Sequence, residues 1–356
     1  MYVKKKMYIC NGLNNKKRMQ LIDISTIRTA VYTLDNGSGL TVEITPLGCR
    51  IMRLLFHGTD LVQGFDSPED YLPEHHASDF GAVVGRYANR LAGGRIALDW
   101  DLIQLPQNDG PNCLHGGPRG WQYTLYDVVS ASDTRLELAM VSPDGDNGFP
   151  GTVKVRVVYT LDKDSLRIDY HAETDQLTVI NLTNHSYFNL NGDLSSSIYN
   201  HLLWIDADCY TPVNDNMIPI GDRRPVDRSP FDFRQAKPIG QDIDSHHPQM
   251  LIGRGYDHNF VLNTRGSLER PCAYLESPQT GIGMEIFTTA PGMQLYTGNF
   301  LDGVVGKGGV DYPQRSAVCL ETQQYPDSPN HRWPESTGYL YPDKPFESTT
   351  IYSFYR

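Results

Sequence analysis

A large all-β domain of stacked antiparallel sheets is the fold this sequence predicts. Three features point to it. Short segments alternate apolar and polar residues with a period of two and are parted by turn residues. Stripes at helical spacing are scarce among the 32 glycines and 23 prolines. No low-complexity linker or fixed-period repeat divides the chain, whose 356 residues suffice for one oversized core.

Residues 152–161 set Val153, Val155, Val157 and Tyr159 against Lys154 and Arg156. Asp162-Lys163-Asp164-Ser165 supplies a turn, and Leu166, Ile168 and Tyr170 resume the alternation, so a hairpin with one buried face is expected. A second pair is expected from residues 273–276 and 282–288, joined by Ser277-Pro278-Gln279-Thr280-Gly281. Residues 349–354, rich in β-branched and aromatic side chains, read as a closing strand. The Pro- and Gly-rich stretches 142–151 and 325–334 read as loops. Residues 22–356 are expected to form a single domain and 1–21 a basic, disordered extension carrying Lys4, Lys5, Lys6, Lys16, Lys17 and Arg18. An upstream start codon is the alternative account of that extension, with Met7 or Met19 as the start. Its apolar run, Met7-Tyr8-Ile9-Cys10, is too short for the core of a secretory signal, so a cytoplasmic location is expected.

A net charge of −11 argues against a nucleic-acid partner, which calls for concentrated positive charge. No apolar run approaches the roughly 18 residues of a membrane-spanning helix. Cys10, Cys49, Cys113, Cys209, Cys272 and Cys319 are scattered without a C-x-x-C pair, so they are expected to be reduced and buried, with no zinc or redox site. Neither H-E-x-x-H nor G-x-S-x-G occurs. The stretch 303–309 fits no nucleotide-binding fingerprint, because Gly308 follows Lys307, and it reads as a flexible loop. Asp144-Gly145-Asp146-Asn147-Gly148 begins like a calcium loop but lacks the later glutamate, and reads as a tight turn. The doublets His75-His76 and His246-His247 read as exposed loop residues. Asn181-Leu182-Thr183 and Asn184-His185-Ser186 are formal glycosylation sequons, relevant only to a secreted chain. No metal and no cofactor is expected.

What remains is a set of polar residues in strand-like or turn-like surroundings: Asn89, Arg90, His115, His185, Asp257, Gln294 and Glu321. Singly, each has an ordinary alternative as a turn residue, a local cap, a solvent-facing strand position or part of a satisfied polar cluster. Their flanking segments carry more weight. Gly85-Arg86-Tyr87-Ala88-Asn89-Arg90, Asn112-Cys113-Leu114-His115-Gly116-Gly117, Asn184-His185-Ser186-Tyr187-Phe188-Asn189-Leu190, Tyr256-Asp257-His258-Asn259-Phe260, the run from Pro291 through Gln294 to Asn299, and Leu320-Glu321-Thr322-Gln323 occur in that order. In this order they resemble the signature segments of the aldose 1-epimerase (galactose mutarotase) family over about residues 22–356.

The resemblance implies a large antiparallel β-sandwich, the galactose mutarotase-like supersandwich, with a sugar site on the concave face of one sheet. It implies His185 as general acid, Glu321 as general base, His115 as a second active-site histidine, and Asn89, Arg90, Asp257 and Gln294 as sugar-binding residues. Trp121 stands where the family commonly has Phe, Tyr126 where it has Trp, Trp333 where it has Phe, and Pro342-Asp343 where it has Pro-Gly. These departures are expected at the pocket rim. Trp121, Tyr187 and Phe300 are candidate covers for an apolar sugar face, none of them assigned.

The residue types suit the chemistry implied. Exchange of anomers requires a base at the C1 hydroxyl and an acid at the ring oxygen, and it uses no redox step or covalent intermediate. With ordinary pKa values of about 4.3 for Glu and 6.5 for His, Glu321 is expected ionised near neutrality, whereas His185 needs neighbouring acids to stay protonated. An epimerase for hexose 6-phosphates would need a basic cluster, and Arg90 alone of the set is basic. A non-catalytic sugar-binding protein would not require an acid–base pair, and a glycosidase would want two carboxylates. The substrate expected is a small aldose, with no membrane partner. The sequence ranks neither galactose, glucose and the pentoses, nor monomer against homodimer.

Overall fold

The computed structural model describes residues 6–10, 19–23, 31–73, 78–98 and 101–356. His75 and His76 lie outside the described residues, as does most of the basic extension, in which Lys6–Cys10 and Met19–Asp23 pair antiparallel. Strands dominate, and Pro248–Gly253 is the one α-helix among the described residues.

A nine-stranded sheet runs, in spatial order, through Asp127–Ala131, Arg135–Ser142, Val153–Asp162, Ser165–Thr174, Phe346–Tyr355, Gly283–Thr288, Ala273–Glu276, Leu202–Ile205 and Lys237–Pro238. Every neighbouring pair is antiparallel. The expected hairpin is present: Asp162 pairs with Ser165, leaving Lys163-Asp164 as a two-residue turn. Lys163 takes φ 51°, the positive value that matches a tight turn to the twist of its strands. Val153, Val155, Val157 and Tyr159 are buried while Lys154 and Arg156 are exposed. The closing strand begins three residues earlier than its β-branched run, at Phe346, because its ladder to Ser165–Thr174 continues to the Ala172–Phe346 pair.

A five-stranded sheet orders Arg224–Pro225, Cys209–Thr211, Asp257–Val261, Gly292–Tyr296 and Cys319–Gln323. Alternation divides its faces. Phe260, Met293, Leu295 and Leu320 join the same apolar cluster as Ile286, Tyr352 and Phe354 of the larger sheet. The hydroxyls of Thr322 and Thr350 bond across that contact. Asp257, Gln294 and Glu321 alternate with those apolar residues along their strands, so a core packed on one side sets them on the other. A four-stranded sheet, Tyr32–Asp35, Leu40–Thr45, Arg50–Phe56 and Thr59–Asp60, packs into the same cluster through Leu34, Leu40, Val42, Ile44 and Leu54.

Several expectations are corrected by packing. Trp121 and Tyr126 belong to the core at 1% and 2% exposure, not to a pocket rim, and Trp121 is therefore no cover for a sugar. Trp333 is buried against Tyr325 and His331, whereas Pro342-Asp343 is exposed beside the Tyr341–Lys344 bridge. The 303–309 stretch is tied down: Lys307 is buried, its ammonium 2.7 Å from Asp60 and 2.7 Å from the Val62 carbonyl. His247 is not a bare loop residue but the cap of the helix, its Nδ1 accepting the Gln249 N–H at 3.3 Å. His246 is exposed. Residues 144–148 form a turn in which Asp144 accepts the Gly151 N–H. Both sequon asparagines are buried. Cys49, Cys113, Cys272 and Cys319 are free and buried, and Cys209 is free and part-buried.

The His-Gly-Gly motif has a structural reason. Gly116 sits at φ 79°, and a Cβ there would fall 2.1 Å from the Gly85 carbonyl oxygen. Gly116→Ala is therefore expected to destabilise the fold by about 3 kcal/mol or more, through overpacking and left-handed strain together. A lowered urea midpoint would register it.

Candidate active site

Backbone pairing brings the two candidate proton carriers together. Thr183–Asn184 pairs with Val83–Val84. Directly after it, the His185 N–H donates to the Ala82 carbonyl and the Gly81 N–H to the His185 carbonyl. Phe188 then bridges Val318 antiparallel; carried three residues on, that register sets His185 opposite Glu321. Their side chains meet, with His185 Nε2 3.5 Å from Glu321 Oε1 and both nearly excluded from solvent.

His115 follows the short strand Cys113–Leu114, which pairs with Arg90–Leu91. Its Nδ1 accepts the Asn89 N–H at 3.1 Å. An accepting Nδ1 leaves the proton on Nε2, so the ring is a neutral donor. It stands edge-on to His185 with centroids 5.4 Å apart. Asn89 holds φ 63°, a left-handed conformation that asparagine tolerates, and its Oδ1 accepts the Arg90 N–H. The Arg90 guanidinium donates to Asp109 at 2.7 Å and lies 4.0 Å from Asp257. Gln294, which pairs directly with Glu321 across the ladder, donates to Asp257 at 2.6 Å. All seven residues singled out in the sequence are linked through these contacts.

This geometry has counterparts. Residues 30–353 match the family profile described as aldose 1-epimerase. The galactose mutarotase of Bos taurus is 43% identical, with 88% of this chain and 91% of that protein covered. The aldose 1-epimerase of Escherichia coli (strain K12) is 36% identical, with 91% and 94% covered. This chain belongs to the aldose 1-epimerase family. Its activity as an isomerase-class enzyme is the interconversion of the anomers of an aldose. Among solved structures, an aldose epimerase homologue from C. elegans superposes with a TM-score of 0.84 at 30% identity, covering 92% of this chain and 99% of that one. A galactose 1-epimerase from Lactobacillus acidophilus NCFM gives 0.80 at 29%, covering 99% of each.

In this epimerase, hydrogen-bonding capacity is left open on and beside the couple. Among the described residues, His185 Nδ1, Glu321 Oε2, Gln294 Oε1, Asp79 Oδ1 and both amide atoms of Gln323 are buried without a partner. Orphaned buried polar atoms are costly, and those on His185, Glu321 and the neighbouring Gln294 suit a polyhydroxy ligand. The sequence reading missed Asp79, Tyr296 and Gln323. Alternation could have found two of them, since Tyr296 shares a face with Gln294, and Gln323 with Glu321. Asp79 lies in an irregular turn and carried no such signal. Tyr187 stacks on the His185 imidazole at 5.0 Å and 14°, which makes it a wall for the ring. Phe300 is exposed and stacks over Tyr296.

Burial revises the expected charge states. It presses the His185 imidazole down to about 3, with His115 acting in the same direction. It pushes the Glu321 carboxyl well above its ordinary range, reinforced by Asp257 and Asp79. The proton the couple shares is thus favoured on the carboxyl, leaving the imidazole neutral; contact between the two does not make a standing ion pair, because charge is disfavoured on both. Burial likewise raises Asp257, against the opposing pull of Arg90.

One polar atom from each of Asp79, His115 and His185 lies within 4.8 Å of the others. Bonds of about 2.1 Å to a shared ion would hold donors within about 4.2 Å of one another, so this looser spacing does not by itself define a metal site.

Buried neutral histidines also shape stability. Burial lowers His115, His185 and His258 to about 3 and His201 to about 4. Backbone amides of Asn89, Asp257 and Leu190 donate to rings of His115, His258 and His201, which only a neutral ring can accept. Each folded pKa is below the unfolded value of about 6.5, so the unfolded chain binds more protons between those limits. Stability is then lost on acidification, at up to roughly 1.4 kcal/mol per pH unit for each histidine. The raised Glu321 and Asp257 act oppositely but are fewer. The urea midpoint is expected to fall markedly between pH 7 and pH 5.

Proposed function

We propose that this epimerase opens and recloses the ring of an aldohexose, galactose or glucose, by moving two protons between the sugar and the His185–Glu321 couple. Glu321 takes the proton of the C1 hydroxyl. As the C1–O5 bond breaks, its electron pair goes to O5 and His185 delivers a proton there, leaving an open-chain aldehyde. Rotation about C1–C2 presents the other carbonyl face, and the two transfers run in reverse to close the ring and reset both side chains. His115, a neutral Nε2–H donor, supports the ring-oxygen side. Asn89, Arg90, Asp257 and Gln294 bind the remaining hydroxyls, so that the sugar is held while C1 turns.

The observation that carries this reading is the 3.5 Å separation of His185 Nε2 and Glu321 Oε1. The two oxygens that exchange protons are bonded to the same carbon, so acid and base must be close neighbours, nearer than the roughly 5 to 9 Å between paired carboxylates of a glycosidase. Burial disfavours charge on both side chains, so the ionised carboxyl and protonated imidazole that begin the step are the less stable arrangement, and ring opening returns the couple to its neutral form. We also read residues 22–356 as one catalytic domain acting in the cytoplasm, a reading supported by the match over residues 30–353 and by the free cysteines.

Purified protein is expected to speed the optical-rotation decay of fresh α-galactose or α-glucose without added metal or nucleotide. His185→Asn and Glu321→Gln should each lower kcat by about 10²- to 10⁴-fold with the melting temperature little changed. Full activity in both folded variants would remove the couple from the mechanism.

A further inference from the structure

A buried arginine fixes the turn that carries Asp79. Arg50 donates to the carbonyls of Ser78 at 3.1 Å, Phe80 at 3.0 Å and Gln122 at 2.7 Å, so its guanidinium grips the backbone on both sides of Asp79. The Ala82 N–H closes the turn onto the Asp79 carbonyl at 3.0 Å. Gly81, at φ 67°, approaches Ile51 so closely that a Cβ would lie 2.0 Å from its carbonyl oxygen. The same residue donates to the carbonyl of His185 at 2.9 Å. The turn is thereby registered against both the four-stranded sheet and the candidate acid. Among the described residues, two buried atoms are left without partners there, Asp79 Oδ1 and His185 Nδ1, and polar atoms of the two side chains lie within 4.8 Å.

We propose that Asp79 is a positioning residue for the epimerase reaction, its carboxylate set beside the His185 imidazole to orient that ring and hold the proton it delivers to the sugar. This rests on the reading of His185 as the acid. The other groups around the imidazole cannot do the same. Glu321 adjoins Nε2 but loses its charge when it accepts the C1 proton. His115 stands edge-on, Tyr187 is stacked on the ring and Tyr296 is edge-on beyond. His115 and Arg50 oppose protonation of His185, whereas Asp79 favours it. Of the two carboxyl groups beside the imidazole, Asp79 is the one that neither gains nor loses a proton in the step.

The test compares wild-type protein with Asp79→Asn and Asp79→Glu, measuring kcat and KM for α-glucose by polarimetry across pH, with melting temperature as the folding control. In the Asn variant kcat near neutrality is expected to fall at least tenfold, with KM changed less than about threefold. The alkaline limb of its kcat profile, where the couple loses its shared proton, should move at least about one pH unit lower. Asp79→Glu, which restores the charge, should return the limb toward its wild-type position. Should the Asn variant not fold, Asp79→Ser is read by the same limb. A folded neutral variant whose kcat and alkaline limb stay within about twofold and a few tenths of a pH unit of wild type overturns the role of Asp79; a change confined to KM overturns it too. A wild-type protein inactive on every aldose would instead overturn the acid–base reading beneath it.

Discussion

In the proposed reaction two side chains from distant parts of the chain, at 185 and 321, must reach oxygens that share one carbon. That geometric demand organises much of the molecule. A strand segment at 183–188 is pinned on one side to residues 81–84 and on the other to Val318. The strand Cys319–Gln323 is pinned in turn by Gly292–Tyr296. Because side chains alternate across a sheet, one slip of register would turn Glu321 into the core and bring Leu320 or Thr322 to the sugar. The apolar packing of Leu320 against the larger sheet guards against that slip.

The same burial that fixes the couple also sets its chemistry. In water the carboxylate and imidazolium would be the stable pair, and opening a sugar ring would mean neutralising both. In this dry setting charge is disfavoured on each, so the balance tilts toward the neutral pair, before the step as well as after it. Too strong a tilt would leave no acid to start the reaction. Arg90, held between Asp109 and Asp257, draws Glu321 back toward ionisation, and Asp79 does the equivalent for protonation of His185. The site works as a set of opposed electrostatic biases, each built from residues whose positions the backbone determines.

Much of this was legible in the amino-acid order. The 153–174 hairpin is visible because its two faces meet different solvents, and period two survives that contrast. The seven candidate residues were legible through the ordered segments around them, and the structure gives two of those segments a backbone reason: Gly116 stands where backbones nearly touch and Asn89 where φ is positive. What escaped were properties that depend on the third dimension. Trp121 and Tyr126 read as rim residues because substitution patterns do not reveal depth. Lys307 read as part of a flexible glycine loop because its partner, Asp60, lies 247 residues away. Asp79 escaped for the same reason, as its meaning comes from Arg50 and His185, neither of them near it in sequence.

If His185 and Glu321 act as one proton-shuttling unit, removing the second after the first should cost little. The most direct test is the double variant His185→Asn/Glu321→Gln, its kcat compared with those of the two single variants by α/β exchange of glucose at C1. The account predicts a double variant about as slow as the worse single one. Losses that multiply, so that the double variant is slower by the product of the two, would show the residues acting independently and contradict it.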